Sequence, residues 1–140
     1  MKTVHFVRHG ETEQNKDGIW QGHTNTQLSK TGKAQAKLLS KRINLKNQTV
    51  FTSDLARAKE TAYFLSDSPT VRENLREINV GDFTGKSVKE TYSNNLDIFD
   101  ALQDDTYVFP NGESVQEFKQ RVHQEAVSYT HLRAHETVVY

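Results

Sequence analysis

The chain has 140 residues, enough for one domain with a buried core, and it contains no cysteine, which excludes disulfides and cysteine-ligated zinc. Eighteen basic and eighteen acidic residues cancel, so a broad attraction to nucleic acid or to an anionic membrane is excluded as the main activity, and any affinity for anions must be local. A single Lys precedes a very short apolar run and no stretch approaches transmembrane length, so neither a signal peptide nor a membrane span is expected, and a cytoplasmic location is.

Val4, Phe6 and Val7 read as a first strand, covered on both faces of an α/β sheet. Arg8, His9 and Gly10 follow at its carboxyl end, where open α/β sheets bind their ligands. Gly10 permits a sharp turn and a close approach to a ligand, while Arg8 offers a planar fork matched to phosphate or carboxylate. Glu13 to Thr26, with Gly18 and Gly22, reads as a long polar loop. Ser29 is placed to cap a helix running to about Ile43, with Ala34, Leu38, Leu39 and Ile43 as its apolar stripe and Lys33, Lys37 and Lys41 on a solvated face.

Thr49 to Thr52 is β-branched and aromatic, hence a second strand, and Ser53 or Asp54 can cap the helix from Leu55 to Leu65. That helix turns Leu55, Ala58, Ala62 and Leu65 to one side and carries Arg57 in its first turn, an arrangement suited to an anion. Pro69-Thr70-Val71 reads as a short third strand, and an irregular segment with Gly81 and Gly85 follows Leu75. A short surface helix is expected over Asn94 to Leu102. Ser114 and Glu117 form a capping box for a helix bearing Val115, Phe118 and Val122 on one face. This alternation of strands and helices favours an α/β fold with a mainly parallel sheet flanked by helices.

Four stretches carry the chemistry. They are Arg8-His9-Gly10-Glu11-Thr12 with Asn15; Gln21-Gly22 followed by Leu28-Ser29-Lys30-Thr31-Gly32; Thr52-Ser53-Asp54-Leu55-Ala56-Arg57-Ala58 with Thr61-Ala62; and Leu75-Arg76-Glu77 with Gly81 and Gly85. In this order and spacing, over about residues 3 to 122, they resemble the histidine phosphatase superfamily, the phosphoglycerate-mutase-like proteins. The resemblance implies that fold and a phosphoryl transfer in which His9 is the nucleophile and becomes a phosphohistidine. An imidazole of ordinary pKa, about 6.5, is largely neutral at pH 7 and can attack phosphorus without further activation. By the same resemblance Arg8 and Arg57 clamp the phosphoryl oxygens, Asn15 adds a neutral donor, Gln21 and Gly22 line the substrate mouth, and Glu77 protonates the leaving oxygen. Gly10, Glu11 and Thr12 complete the implied substrate-binding set.

The implied activity is a metal-independent phosphohydrolase acting on a small phosphorylated metabolite, with no cofactor. A phosphoglycerate-mutase-type isomerase is the neighbouring enzyme class, and a catalytically impaired phosphate-binding fragment is the alternative outside it. His131 and His135 would share one face of a helix, but two histidines without further ligands do not make a zinc site. Two departures from the family pattern stand out. Phe83 and Thr84 occupy positions where members often carry Trp and Glu. Beyond Ala126 the family continues with a buried strand ending in Ser-His-Gly, whose histidine completes the phosphate pocket. Val127 to Tyr140 contains no such motif and no continuous apolar run, and it resembles read-through of foreign sequence. The expectation is therefore an incomplete histidine-phosphatase-like domain over residues 1–126 and an atypical, non-native tail over 127–140. The C-terminal strand and second histidine would then be missing from a truncated or chimeric chain.

Overall fold

The computed structural model describes residues 3–45, 48–94, 98, 102–130 and 135–139. Its centre is a four-stranded, all-parallel sheet in the order β1-β4-β2-β3, built from β1 (Thr3–Val7), β2 (Thr49–Thr52), β3 (Thr70–Val71) and β4 (His135–Val139). Helices α2 (Lys30–Arg42) and α3 (Ala56–Leu65) follow β1 and β2 in the chain, and α5 (Val115–Thr130) precedes β4. Two shorter helices, α1 (Glu13–Lys16) and α4 (Val88–Asn94), lie in the connections. This is the parallel α/β architecture expected from the sequence. No helix among the described residues is long and apolar enough to cross a membrane.

The core has two layers because strand side chains alternate between faces. On one face Val7, Val50, Ala62 and Val139 pack together, joined by Leu39, Ile43, Leu45 and Leu65. On the other, Phe51, Leu75 and Val138 pack with Val4 and Val122. Val138 and Val139 thus bury opposite faces of β4, which pairs with β1 on one side and β2 on the other.

That placement corrects the expectation for the tail. The sequence reading ended the domain at Ala126 and found no central strand beyond it, yet α5 runs on through Thr130 and His135–Val139 fills the middle of the sheet. Five residues are enough for a central strand when both neighbours supply backbone partners. Here Val7 and Thr52 flank Val139 in register. The shared helical face of His131 and His135 is likewise absent, since His135 opens β4, and His131 lies outside the described residues.

Other boundaries moved for local reasons. Among the described residues β1 is an edge strand, and although Val7 and Val4 join the cores on its two faces, Phe6 is 59% exposed beside an apolar groove along α5. The buried side of α2 is Gly32 and Ala36 with Leu39 and Ile43, whereas Ala34 and Leu38 face outward. Residues 32, 36, 39 and 43 keep helical spacing, and the stripe was misread because glycine does not register as apolar. Within the expected loop from Glu13 to Thr26, Thr12 and Asn15 form a capping box that winds the short α1. Helix α3 takes neither Ser53 nor Asp54 as a cap: the Ala56 amide donates to Asn25 Oδ1 at 2.7 Å, from the loop that crosses it. Asp54 is engaged instead by Arg76 through a two-pronged ion pair. The surface helix expected over Asn94 to Leu102 falls largely outside the described residues; within it Ile98 is helical, and the Leu102 amide donates to its carbonyl at 2.9 Å. The Ser114–Glu117 capping box is present, with the Glu117 amide donating to Ser114 Oγ at 3.0 Å and the Ser114 amide to Glu117 Oε2 at 2.8 Å.

Candidate active site

The carboxyl ends of β1 and β2 open into a cavity of about 270 Å³. Arg8 and His9 enter it directly from β1, and Arg57 enters from the first turn of α3. Asn15, Gln21, Gly22 and Glu77 complete the polar lining. Seven of the ten residues expected at the site therefore meet around one space, although they come from four separate stretches of chain.

Gly10, Glu11 and Thr12 are not among the lining residues; they brace the loop behind it. A side chain at Gly10 would place its Cβ 2.5 Å from the Gly32 carbonyl oxygen, and one at Gly32 would lie 2.0 Å from that of Glu11. Only two glycines allow this backbone-on-backbone contact. The Ser29 amide donates to the Glu11 carbonyl at 2.8 Å and Ser29 Oγ to Glu11 Oε1 at 3.0 Å, so Glu11 joins the loop to the start of α2. Thr12 Oγ lies 2.8 Å from Gln21 Oε1 and 3.0 Å from Asn15 Oδ1. With Oδ1 also accepting from the Thr12 amide at 3.1 Å, Asn15 has its Nδ2 amide left as the donor end.

His9 is held in one tautomer. Its Nδ1 lies 2.6 Å from the Gly10 carbonyl, which can only accept, so Nδ1 carries the proton and Nε2 the lone pair. Arg57 Nε–H donates to that Nε2 at 3.2 Å. Only 8% of His9 is exposed. Burial pushes its pKa below 6.5, the Gly10 hydrogen bond partly opposes this, and the positive charges of Arg57 and Arg8 add to the lowering against the pull of Glu77. The ring is therefore neutral and nucleophilic at neutral pH.

Arg57, 1% exposed, does more than the sequence suggested. Its Nη1 donates to the Thr24 carbonyl and its Nη2 to the Gly22 carbonyl, each at 2.7 Å, so the guanidinium also staples the loop that carries Gln21 and Gly22. Gly22 accepts this bend with φ of 49°. Burial draws the Arg57 pKa down and the Glu77 charge opposes the change, but a guanidinium remains cationic throughout. The Gly10 amide donates to Thr61 Oγ at 3.0 Å, and Thr61 Oγ donates to the Arg57 carbonyl at 2.8 Å, which locks the His9 turn against α3.

Glu77 is positioned through its backbone. The His23 ring Nε2–H donates to the Glu77 carbonyl at 2.8 Å. Arg121, from α5, donates to the carbonyls of Asn74 at 2.7 Å and Arg76 at 3.1 Å while pairing with Glu113 at 2.8 and 2.9 Å. Glu113 Oε2 in turn accepts from the Asn79 amide at 3.1 Å. Burial raises the Glu113 pKa, but the Arg121 hydrogen bonds and the Asn79 amide outweigh it and hold the carboxyl below its ordinary value. Reading the sequence did not single out Arg121 or Glu113, because two polar residues eight apart around a helix start carry no periodic signal.

An apolar wall was also missed. Ile19, Trp20, Ile78, Val80 and Val88 line the rest of the cavity. Phe83, which departs from the family pattern, is not part of that lining but packs its ring 6.2 Å from that of Trp20. Among the described residues no three His, Asp or Glu side chains converge in a way that could hold a metal ion.

Residues 4–139 match the family model of the histidine phosphatase superfamily, branch 1. The chain belongs to this family. It is 33% identical over 129 residues to a Hydrogenobacter thermophilus protein named "Putative phosphoserine phosphatase 2", covering 87% of this chain and 64% of that one. It is 30% identical over 141 residues to "Probable phosphoglycerate mutase GpmB" of Salmonella arizonae, covering 94% of this chain and 65% of the relative. The solved structure of a mycobacterial glucosyl-3-phosphoglycerate phosphatase superposes with a TM-score of 0.91 at 23% identity, over 99% of this chain and 75% of the other, and it shares the fold. The chain thus spans slightly less than two thirds of the length of these two curated relatives.

Proposed function

We propose that this chain removes phosphate from a small phosphomonoester through a phosphohistidine at His9, without a metal ion. The observation that carries the proposal is the tautomer lock on His9: Nδ1 is tied to the Gly10 carbonyl, and the Nε2 lone pair lies beside Arg57 in a cavity shared with Arg8 and Glu77. When a phosphoryl group enters, the guanidinium groups of Arg57 and Arg8 and the Asn15 amide bind its oxygens, which frees the Nε2 lone pair for phosphorus. A P–N bond forms as the P–O bond to the alcohol breaks, and Glu77 gives its proton to the departing oxygen. Water then attacks phosphorus, its proton passes to the Glu77 carboxylate, the P–N bond breaks, and His9 regains its lone pair. Donors already in place offset the charge on the transferring group without reorganisation.

The test is hydrolysis of 4-nitrophenyl phosphate by the 140-residue chain and by His9→Ala, each with and without a chelator. The expected result is turnover that depends on His9 and survives chelation. Equal activity in His9→Ala, or loss of activity on chelation, would refute the proposal. A folded chain that binds vanadate but never turns over would instead be the impaired phosphate-binding fragment.

A further inference from the structure

Resting on the phosphatase reading, we propose that the leaving-group side of the cavity takes the ester of an uncharged alcohol with an aromatic or branched apolar body, and discriminates against phosphoglycerate and phosphoserine. The cavity is divided by chemistry. Among the described residues, the cations lining it are Arg8 and Arg57, both beside His9, where they face the phosphoryl group. The rest of the lining is the uncharged Asn15, Gln21 and Gly22, the carboxyl group of Glu77, and an apolar stretch of Ile19, Trp20, Ile78, Val80 and Val88. A carboxylate on the alcohol would find no further cation among the described lining residues, with both arginines already committed to phosphate. Burying a charge without a partner is strongly unfavourable. An aromatic or branched alcohol can cover the apolar stretch and remove it from water.

The wall is built to hold its shape. The segments around residues 18–20 and 85–88 are stitched together: the Trp20 amide donates to the Lys86 carbonyl at 3.0 Å, the Gly85 amide to the Trp20 carbonyl at 2.8 Å, and the Val88 amide to the Gly18 carbonyl at 2.8 Å. Behind the cavity, the Trp20 ring packs against Phe83, Tyr92 and Phe109 at centroid separations of 6.2, 6.1 and 5.9 Å. Phe83 therefore shapes the pocket by supporting Trp20, without touching the cavity itself. Lys86 lies over the Phe83 ring at 5.7 Å and, like Arg76 and Lys89, is not part of the lining.

The experiment compares kcat/KM for benzyl and isobutyl phosphate with that for 3-phosphoglycerate and O-phosphoserine. All four release an alkyl alcohol, so the demand on Glu77 is similar. The uncharged pair should be favoured by at least about tenfold. Val88→Lys should narrow that gap by raising turnover of the two carboxylate substrates, and Trp20→Ala should lower turnover of benzyl phosphate more than that of phosphoserine. Equal or better turnover of 3-phosphoglycerate would overturn the inference while leaving the phosphatase reading intact. If no substrate is turned over beyond the His9→Ala level, the phosphatase reading fails. Binding then decides the inference: benzylphosphonate should raise the melting temperature more than 3-phosphoglycerate at equal concentration, and the reverse order would overturn it.

Discussion

Arg121→Met separates the placing of Glu77 from the rest of the site. The wild-type guanidinium makes two hydrogen bonds to Glu113 and donates to the carbonyls of Asn74 and Arg76, with a longer 3.4 Å contact to that of Glu77. Both members of the ion pair are largely sheltered, at 21% and 16% side-chain exposure. Met keeps the hydrocarbon stem but leaves Glu113 half-paired and the carbonyls without their donor. Charged hydrogen bonds of this kind are worth about 1.5–3 kcal/mol each and are not additive, so the expected loss is about 2–4 kcal/mol. For a chain of this length that corresponds to a fall of roughly 6–15 °C in melting temperature.

The catalytic signature of Arg121→Met is more specific than its effect on stability. A general acid contributes about 10²–10⁴ in rate, and a displacement of about 1 Å can remove about 10². Hydrolysis of an alkyl phosphate, whose leaving oxygen needs a proton, should therefore fall about 100-fold in the folded variant. The kcat/KM for 2,4-dinitrophenyl phosphate, which reports formation of the phosphoenzyme and not the later water step that also uses Glu77, should change by less than about threefold, because its leaving group needs no proton. Arg121→Lys, which restores the charge and part of the bonding, should lie between. An equal fall for both substrates in a folded variant would show that Arg121 supports the site in general and not Glu77, and no fall for either would remove it from the account.

Three other predictions follow from local geometry. Because the folded-state pKa of His9 is lowered, the unfolded chain takes up its proton first as the pH drops. The stability linked to this group is fully present above pH 6.5 and is lost as the pH falls toward and through the lower folded value. An NMR titration of His9 should give a midpoint below 6.5, and a midpoint above it would contradict the buried, neutral ring. Gly32→Ala sets a Cβ 2.0 Å from the Glu11 carbonyl oxygen, so calorimetry should show a loss of about 1–3 kcal/mol, and activity should fall as the loop bearing His9 shifts. Ser114→Ala removes the side-chain cap of α5, and should cost about 1 kcal/mol in denaturant unfolding.

What the sequence conveyed best was whatever is local or carries family-specific spacing. The order of β1, α2, β2 and α3 follows from strand composition, the Ser29 cap and helical spacing. His9, Arg8 and Arg57 could be named because strand ends and a helix start are positions with a known use. Long-range supports were opaque. Asn25 caps α3 from a loop 31 residues away, and Arg121 reaches back across 47 residues to the Asn74 carbonyl; neither pairing leaves a periodic trace. Gly32 stood within a motif but was given no role, because its role is to be absent at a contact, and Trp20 was passed over because a lone aromatic in a polar loop does not announce a wall. His135–Val139 was misjudged for a physical reason. Its polar first residues hid a strand whose burial comes from the partners on either side, with only Val138 and Val139 supplying apolar side chains to the described core.

The phosphorylation of His9 is the claim on which the rest depends. Rapid acid-free quenching of the protein during turnover of 4-nitrophenyl phosphate, followed by intact-mass analysis and peptide mapping, measures it directly. The account predicts a single phosphoryl adduct on His9, stable to base and labile to acid, formed in the presence of a chelator and absent from His9→Ala. Steady turnover with no adduct at His9 under conditions that trap such intermediates, or an adduct on another residue that supports turnover in His9→Ala, would contradict it.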